Sequence, residues 1–349
     1  MKNEKRIVHI VNGMDVGGVE VGVLSLLMNS SDFYHIVTVT PTGDKIKQSL
    51  PETCQKRLHI CNGYIDAFKT VKSISPDVLV TSLWRAHIIG VLCQLAFTNI
   101  KRIHFAHVAA FGHIVNNFVT RISLRCCSEI FSDSTDTSNW LVKNFCGIRN
   151  KKIINVPMNV CFREKVESIN VSKFVELKFI FVGRYCRQKN LQFAIEFVEK
   201  LIEKGLSVKF DLFGRDDGTL NELKHYVKTR SLEGFISFNG ELHPTIVENT
   251  MSQYHYYLQP SLAEGMAISV FQSLRAGLCP VVNPVGEISK YTKHKKNSFH
   301  IDVKDFEASV SDFYSFYNNG FKLTEPGVIY NESDYPDFYS SFFYHCRSY

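Results

Sequence analysis

Short apolar runs alternate with stretches of helical period along this chain, and the alternation occurs twice. That pattern leaves few folds open. In the first half, residues 7–11, 34–39, 76–81, 102–106, 130–133 and 153–156 read as strands. Between them, residues 18–28, 86–97 and 135–145 place apolar side chains every three or four positions, as a helix with one buried face does. Strands separated by helices build a parallel sheet covered on both faces. Residues 157–176 break the rhythm with Pro157, Arg163-Glu164-Lys165 and a polar run to Lys173, as a linker does. The rhythm then resumes. Strands are expected over 177–182, 208–213, 235–238, 256–258 and 279–283, with helices over 190–204, 218–230 and 268–275. The fold class predicted is α/β: two Rossmann-like doubly wound domains facing a central cleft at their strand ends.

Composition narrows the class. At 349 residues and 45% apolar, the chain is long enough for two domains with their own cores. No run of about 18 apolar residues is present, so no spanning helix is expected. The run Ile7 to Val11 is too short, and too soon followed by Asn12-Gly13, for a signal peptide. The ten cysteines show no C-x-x-C pair and no zinc spacing, and read as reduced cytosolic thiols. The net charge of +6 is uneven: residues 1–155 hold 18 Lys+Arg against 11 Asp+Glu, the remainder 22 against 23. A basic first half suits nucleic acid, phosphorylated substrates or an acidic membrane face, or is an ordinary solvated surface.

Five segments carry candidate chemistry. Gln259-Pro260-Ser261-Leu262-Ala263-Glu264-Gly265-Met266-Ala267-Ile268 runs from a strand end through a turn into a helix, aiming one carboxylate and several backbone N–H groups at a point. Glu264 there is either a ligand-facing acid or a helix cap. Gln272, two helical turns beyond, faces the same cleft or solvent. Gly183-Arg184-Tyr185-Cys186-Arg187-Gln188-Lys189 also follows a strand; Arg184 and Lys189 converge on one anion or are a basic surface turn. Gly13-Met14-Asp15-Val16-Gly17-Gly18-Val19-Glu20 follows the first strand and is either a close-approach loop or a tight turn; its spacing is not G-x-G-x-x-G. His104 and His107 end another strand on opposite faces, His107 nearer the cleft end, each a site residue or a structural histidine. Phe111 to Arg125 mixes Phe111, Ile114, Phe118 and Ile122 with His113, Arg121 and Arg125, as a membrane-surface helix or one whose apolar side faces the core. The chain contains no Asp-x-Asp, no P-loop and no Gly-x-Ser-x-Gly, which weighs against metal-dependent sugar transferases, P-loop NTPases and serine hydrolases.

In this order the segments resemble retaining glycosyltransferases of family 4, of bacterial surface-polysaccharide type, with the GT-B fold. The resemblance runs from Gly17-Gly18-Val19-Glu20, through the strand end at His107 and Val182-Gly183-Arg184 with Lys189, to Pro260–Gly265 and Ala276-Gly277-Leu278-Cys279-Pro280. It implies an acceptor-side domain at 1–160, a linker at 161–176 and a nucleotide-sugar domain at 177–310. Residues 311–349 are expected to pack back toward the first domain, with an aromatic-rich helix over 306–317. It further implies that Arg184 and Lys189 neutralise the departing diphosphate, and that Glu264 and His107 contact the transferred sugar. Gly17, Gly18, Gly183, Gly265, Met266 and Ala267 would line the donor site, and Gln272 would take the ribose position. The family pattern, E-x7-E, has Glu where this chain has Gln272; an amide still bonds hydroxyls but without charge. No metal and no cofactor are implied beyond the nucleotide-sugar donor. The expected partners are that donor, a glycan or lipid-linked glycan acceptor and an anionic membrane surface, with no nucleic acid. The expected place is the cytoplasm, at the inner face of the membrane. A second reading is a non-catalytic sugar-nucleotide or glycan-binding partner, which Gln272 favours.

Overall fold

The computed structural model describes residues 5–14, 17–97, 99–107, 114–148, 150–160, 176–320 and 323–348. Asp15, Val16, Phe111, His113 and most of the expected linker (161–175) lie outside them. The chain divides into two compact units: residues 1–160 with 335–349, and residues 161–334.

The first unit follows the order β1 (Ile7–Val11), α1 (Gly18–Asn29), β2 (Tyr34–Thr38), α2 (Asp44–Ser49), α3 (Glu52–Gln55), β3 (Leu58–His59) and α4 (Tyr64–Ile74). It continues with β4 (Val78–Ser82), α5 (Trp84–Ala96), β5 (Lys101–Ala106), α6 (Ile114–Cys126), β6 (Glu129–Ser132), α7 (Thr135–Asn144) and β7 (Ile153–Asn155). All strand pairs are parallel, in the order β3-β2-β1-β4-β5-β6-β7. Every residue of β1 and β4 is buried, as helices on both faces require. The chain builds outward from β1 to β3, then returns to β4 and builds the other way. The reversal point between β1 and β4 is where such sheets leave a crevice at the strand ends.

The second unit repeats the plan: β8 (Leu177–Val182), α8 (Leu191–Glu203), β9 (Val208–Phe213), α9 (Leu220–Thr229), β10 (Ile236–Phe238) and α10 (Val247–Met251). Then follow β11 (Tyr256–Gln259), α11 (Ile268–Arg275), β12 (Cys279–Val282), α12 (Ile288–Tyr291), β13 (Phe299–His300) and α13 (Phe306–Asn318). The strand order is β10-β9-β8-β11-β12-β13, again all parallel, so the reversal lies between β8 and β11. A cluster of buried aromatic residues forms the core. Phe313 of α13 packs edge-on to Tyr256 at 5.3 Å and to Phe299 at 5.2 Å. Helix α13 therefore lies wholly in the second unit, across the boundary expected at residue 310.

From Tyr335 the chain belongs to the first unit. Asn159 Nδ2 donates to the Tyr335 carbonyl at 2.9 Å, and Asp337 caps helix α14 (Phe338–Arg347) by accepting from Ser340 N. Phe342 is fully buried: it stacks on His9 at 5.6 Å and meets Tyr34 and Phe131 edge-on. The helix thus completes the first core. Phe342→Ala should destabilise the first unit by about 3–5 kcal/mol. Tyr344→Ala, at a position 70% exposed, should change it by less than about 0.5 kcal/mol. Urea unfolding followed by tryptophan fluorescence measures both, and equal effects would contradict the assignment.

Candidate active site

In the second unit, the two loops at the reversal point are the two strongest sequence candidates. The loop after β8 carries Gly183, Arg184 and Lys189; the loop after β11 carries Glu264 to Ala267. They are stitched together. Leu262 N donates to the Gln188 carbonyl at 2.9 Å, and Gln188 Nε2 to the Ala263 carbonyl at 2.7 Å. Lys189 Nζ lies 2.6 Å from Glu264 Oε1, with the two side chains 15% and 7% exposed. The same oxygen accepts from Gln259 Nε2 at 3.1 Å. Gln259 is buried at the last position of β11, and its Oε1 accepts from Tyr257 OH at 2.5 Å, which orients the amide. Burial raises the Tyr257 phenol well above its ordinary range, so it stays a donor. Lys189 and Gln259, the latter held in place by Tyr257, therefore converge on one carboxylate oxygen. Glu264 Oε2 has no protein partner among the described residues.

The backbone beside Glu264 is equally poised. Ala267 sits at φ +53°, left-handed, at the start of α11, and no side chain caps that helix. Glu264 is thus not a cap. The N–H groups of Gly265, Met266 and Ala267 make no hydrogen bond among the described residues. The loop is braced from behind. Tyr291 OH donates to the Met266 carbonyl at 2.8 Å, and Glu287 N to the Gly265 carbonyl at 3.2 Å. Gly286, at φ +58°, lies so close that a Cβ there would stand 2.1 Å from the Glu264 carbonyl oxygen. A left-handed alanine costs of order 1 kcal/mol, and here the surrounding bonds hold it.

Other predicted residues fall differently. Arg184 does not join the Lys189–Glu264 pair: its Nη1 bonds Asp217 Oδ2 at 2.6 Å, and both side chains are more than 40% exposed. An exposed pair of this kind is worth ~1 kcal/mol or less, so a phosphate can displace Asp217. Gly183 packs on the Phe181 ring, and its carbonyl lies 1.7 Å from where a Cβ at Gly214 would be. Gln272 is not solvent-facing: it is 4% exposed, and its Nε2 has no hydrogen-bond partner among the described residues. Gln259, Tyr257 and Gly286 were not singled out from the sequence. The one available signal was a glutamine closing an otherwise apolar strand.

In the first unit, Gly17 and Gly18 open α1 after β1, with Gly17 at its N-cap. His107 directly follows β5. Its side chain is 2% exposed, with Nε2 2.8 Å from Ser82 Oγ and Nδ1 3.6 Å from Asp133 Oδ2. Ser82 Oγ is also 2.8 Å from His9 Nε2, and His9 Nδ1 is 2.9 Å from Tyr34 OH. The Asp133 carboxylate favours a proton on His107 Nδ1, which leaves Nε2 an acceptor. Ser82 then donates to His107 and accepts from His9 Nε2–H, and Tyr34 donates to His9 Nδ1. One direction of donation thus runs from Tyr34 through His9 and Ser82 to His107, whose Nδ1 faces Asp133 beyond hydrogen-bond distance. His104 faces the other side of β5: it stacks on His87 at 3.8 Å and meets Ser123 Oγ at 2.8 Å. Leu83, just after Ser82, holds φ +72°, a strained position at this unit's reversal point.

Residues 163–326 match the family model for glycosyl transferases group 1. An uncharacterised glycosyltransferase of Methanocaldococcus jannaschii is 24% identical over 253 residues, 66% of this chain and 63% of that protein. A UDP-Gal:alpha-D-GlcNAc-diphosphoundecaprenol alpha-1,3-galactosyltransferase of Escherichia coli is 24% identical over 207 residues, 58% of this chain and 49% of that protein. The alignments span less than two thirds of both relatives. Among solved structures, Anabaena HepE in complex with UDP-glucose superposes with a TM-score of 0.80 at 13% identity, covering 98% of this chain and 97% of that one. That likeness is one of fold: two parallel-sheet Rossmann-like units, the architecture of GT-B glycosyltransferases.

The buried histidines make stability depend on pH. Burial pushes His9, His87 and His104 well below their ordinary value; His107 adds to the first, His104 and Arg102 to the second, and Arg102 to the third. Folded, they stay neutral; unfolded, they protonate below about pH 6.5. The unfolded state binds more protons, so stability falls below about pH 6.5 by roughly 1.4 kcal/mol per pH unit for each ring. Urea midpoints between about pH 7.5 and about pH 5 test this. A flat profile would contradict it.

Proposed function

We propose that this protein is a retaining, metal-independent glycosyltransferase of family 4. It moves a hexose from a nucleoside diphosphate sugar to a glycan on a lipid carrier during synthesis of a surface polysaccharide. The observation that carries the reading is the convergence at the β8–β11 reversal point of a free carboxylate oxygen, an ammonium and three undonated backbone N–H groups. Each has a chemical counterpart in such a donor. Glu264 Oε2 accepts from sugar hydroxyls. Lys189, with one of its three N–H groups on Glu264, has two for diphosphate oxygens. The N–H groups of Gly265 to Ala267 add fixed partial positive charge.

When the bond between the anomeric carbon and the diphosphate oxygen breaks, negative charge collects on the leaving group. Fixed donors lower that barrier because they need no reorientation. Arg184 joins them on exchanging Asp217 for phosphate. Gln272 Nε2, buried without a partner, is the donor suited to a ribose hydroxyl oxygen. HepE was solved with UDP-glucose and the E. coli relative is named for UDP-Gal, which favours a uridine donor. The lipid-linked acceptor rests on that relative's diphosphoundecaprenol substrate.

A second reading, a non-catalytic binding partner, draws on Gln272 standing where the family pattern has an acid. Transfer decides between them. Purified protein should transfer or hydrolyse sugar from a UDP-hexose with or without chelator. Glu264→Ala, Lys189→Ala and Arg184→Ala should each lower the rate by about 10²–10³-fold. Gln272→Ala should weaken UDP binding by about tenfold with little effect on the bound-state rate. Unchanged rates in the Glu264 and Lys189 variants would remove both from the site.

A further inference from the structure

Helix α6 presents two contrasting faces. Inward, Ser123 accepts from buried Arg102 and meets His104, and Leu124 is fully buried. Outward, Phe118 is 64% exposed, Val115 48% and Ile122 38%. Their spacing of three and four places them on one stripe of the helix. Arg121 and Arg125, both exposed, lie along the same outward arc. Neighbouring α5 adds Leu95, 79% exposed, and Leu92, 45%. The apolar side of α6 therefore does not all face the core.

Charge selects the occupant of this face. Between Asp77 and Glu129 the sequence contains no acidic residue and five Lys or Arg. Of these, Arg102 is buried, Lys101 is paired with Glu129 and Arg85 lies over the Trp84 ring at the start of α5, so Arg121 and Arg125 supply the outward charge beside the stripe. A second copy docked face to face by a two-fold axis would bring these arginines together. Nucleic acid would find the aliphatic Leu92, Leu95, Val115 and Ile122 where it needs a track of cations and successive stacking rings. An anionic lipid surface meets both demands, with apolar side chains below the headgroups and guanidinium groups among the phosphates.

We propose that the α5–α6 face docks this protein on an anionic membrane surface. The proposal rests on the lipid-linked acceptor reading only for its purpose: docking would keep the enzyme where such an acceptor is anchored. Binding itself is read without any transfer step.

Flotation with phosphatidylcholine vesicles and with mixed phosphatidylcholine–phosphatidylglycerol vesicles tests it. The wild-type chain should partition at least about tenfold more strongly to the mixed vesicles, less so as salt rises. The double variants Leu95→Ser with Phe118→Ser, and Arg121→Gln with Arg125→Gln, should each lower that partition by about tenfold or more. These side chains are exposed, so near-UV circular dichroism and the thermal shift given by UDP should stay at wild-type values; that keeps loss of docking distinct from loss of the donor site. Equal partition to both vesicle types, or double variants that bind as the wild type does, would overturn the proposal. So would concentration-dependent dimerisation through this face without vesicle binding.

Discussion

The bond from Lys189 to Glu264 is the interaction on which the rest of the second unit's arrangement turns. It ties the loop after β8 to the loop after β11 at the point where the sheet reverses direction. A largely buried ion pair is a weak source of stability, because removing both charges from water costs nearly what their attraction returns. Its value here is positional. Gln259 and Lys189 hold one carboxylate oxygen so that the other stays available, and Tyr291 and Gly286 fix the adjoining backbone. Rigid placement of donors and acceptors of this kind is what the proposed stabilisation of a leaving diphosphate would use.

The first unit solves a different problem. Its reversal point holds a directional chain of hydrogen-bonded side chains from Tyr34 through His9 and Ser82 to His107, with Asp133 beside the last ring. The chain's last helix seals it, with Phe342 stacked on His9. Burial of His9 in this unit, with His87 and His104, links the unit's stability to mildly acid pH.

Much of the fold was legible because parallel strands buried on both faces leave continuous apolar runs. Residues 7–11, 177–182 and 208–213 are strands as read, and residues 268–275 the helix as read. Two-residue β3 and β13 carry too little sequence to show a period, and α4 buries only Ala67 and Val71. Glu264 and Lys189 were legible from their loops. The partners of Arg184 and His107 were not, since Asp217, Ser82 and Asp133 reach them through strand order, which local sequence does not encode. Gln272 was seen as a departure from a family pattern; that it is buried with an unpartnered amide depends on how α11 packs.

Calorimetric titration of UDP into the purified chain and its Lys189→Ala variant, with chelator present, tests the central claim most directly. The wild type should show one site per chain, and the variant an affinity at least about tenfold weaker, about 1.4 kcal/mol or more. Equal affinity in both proteins, or no binding to the wild type, would contradict it.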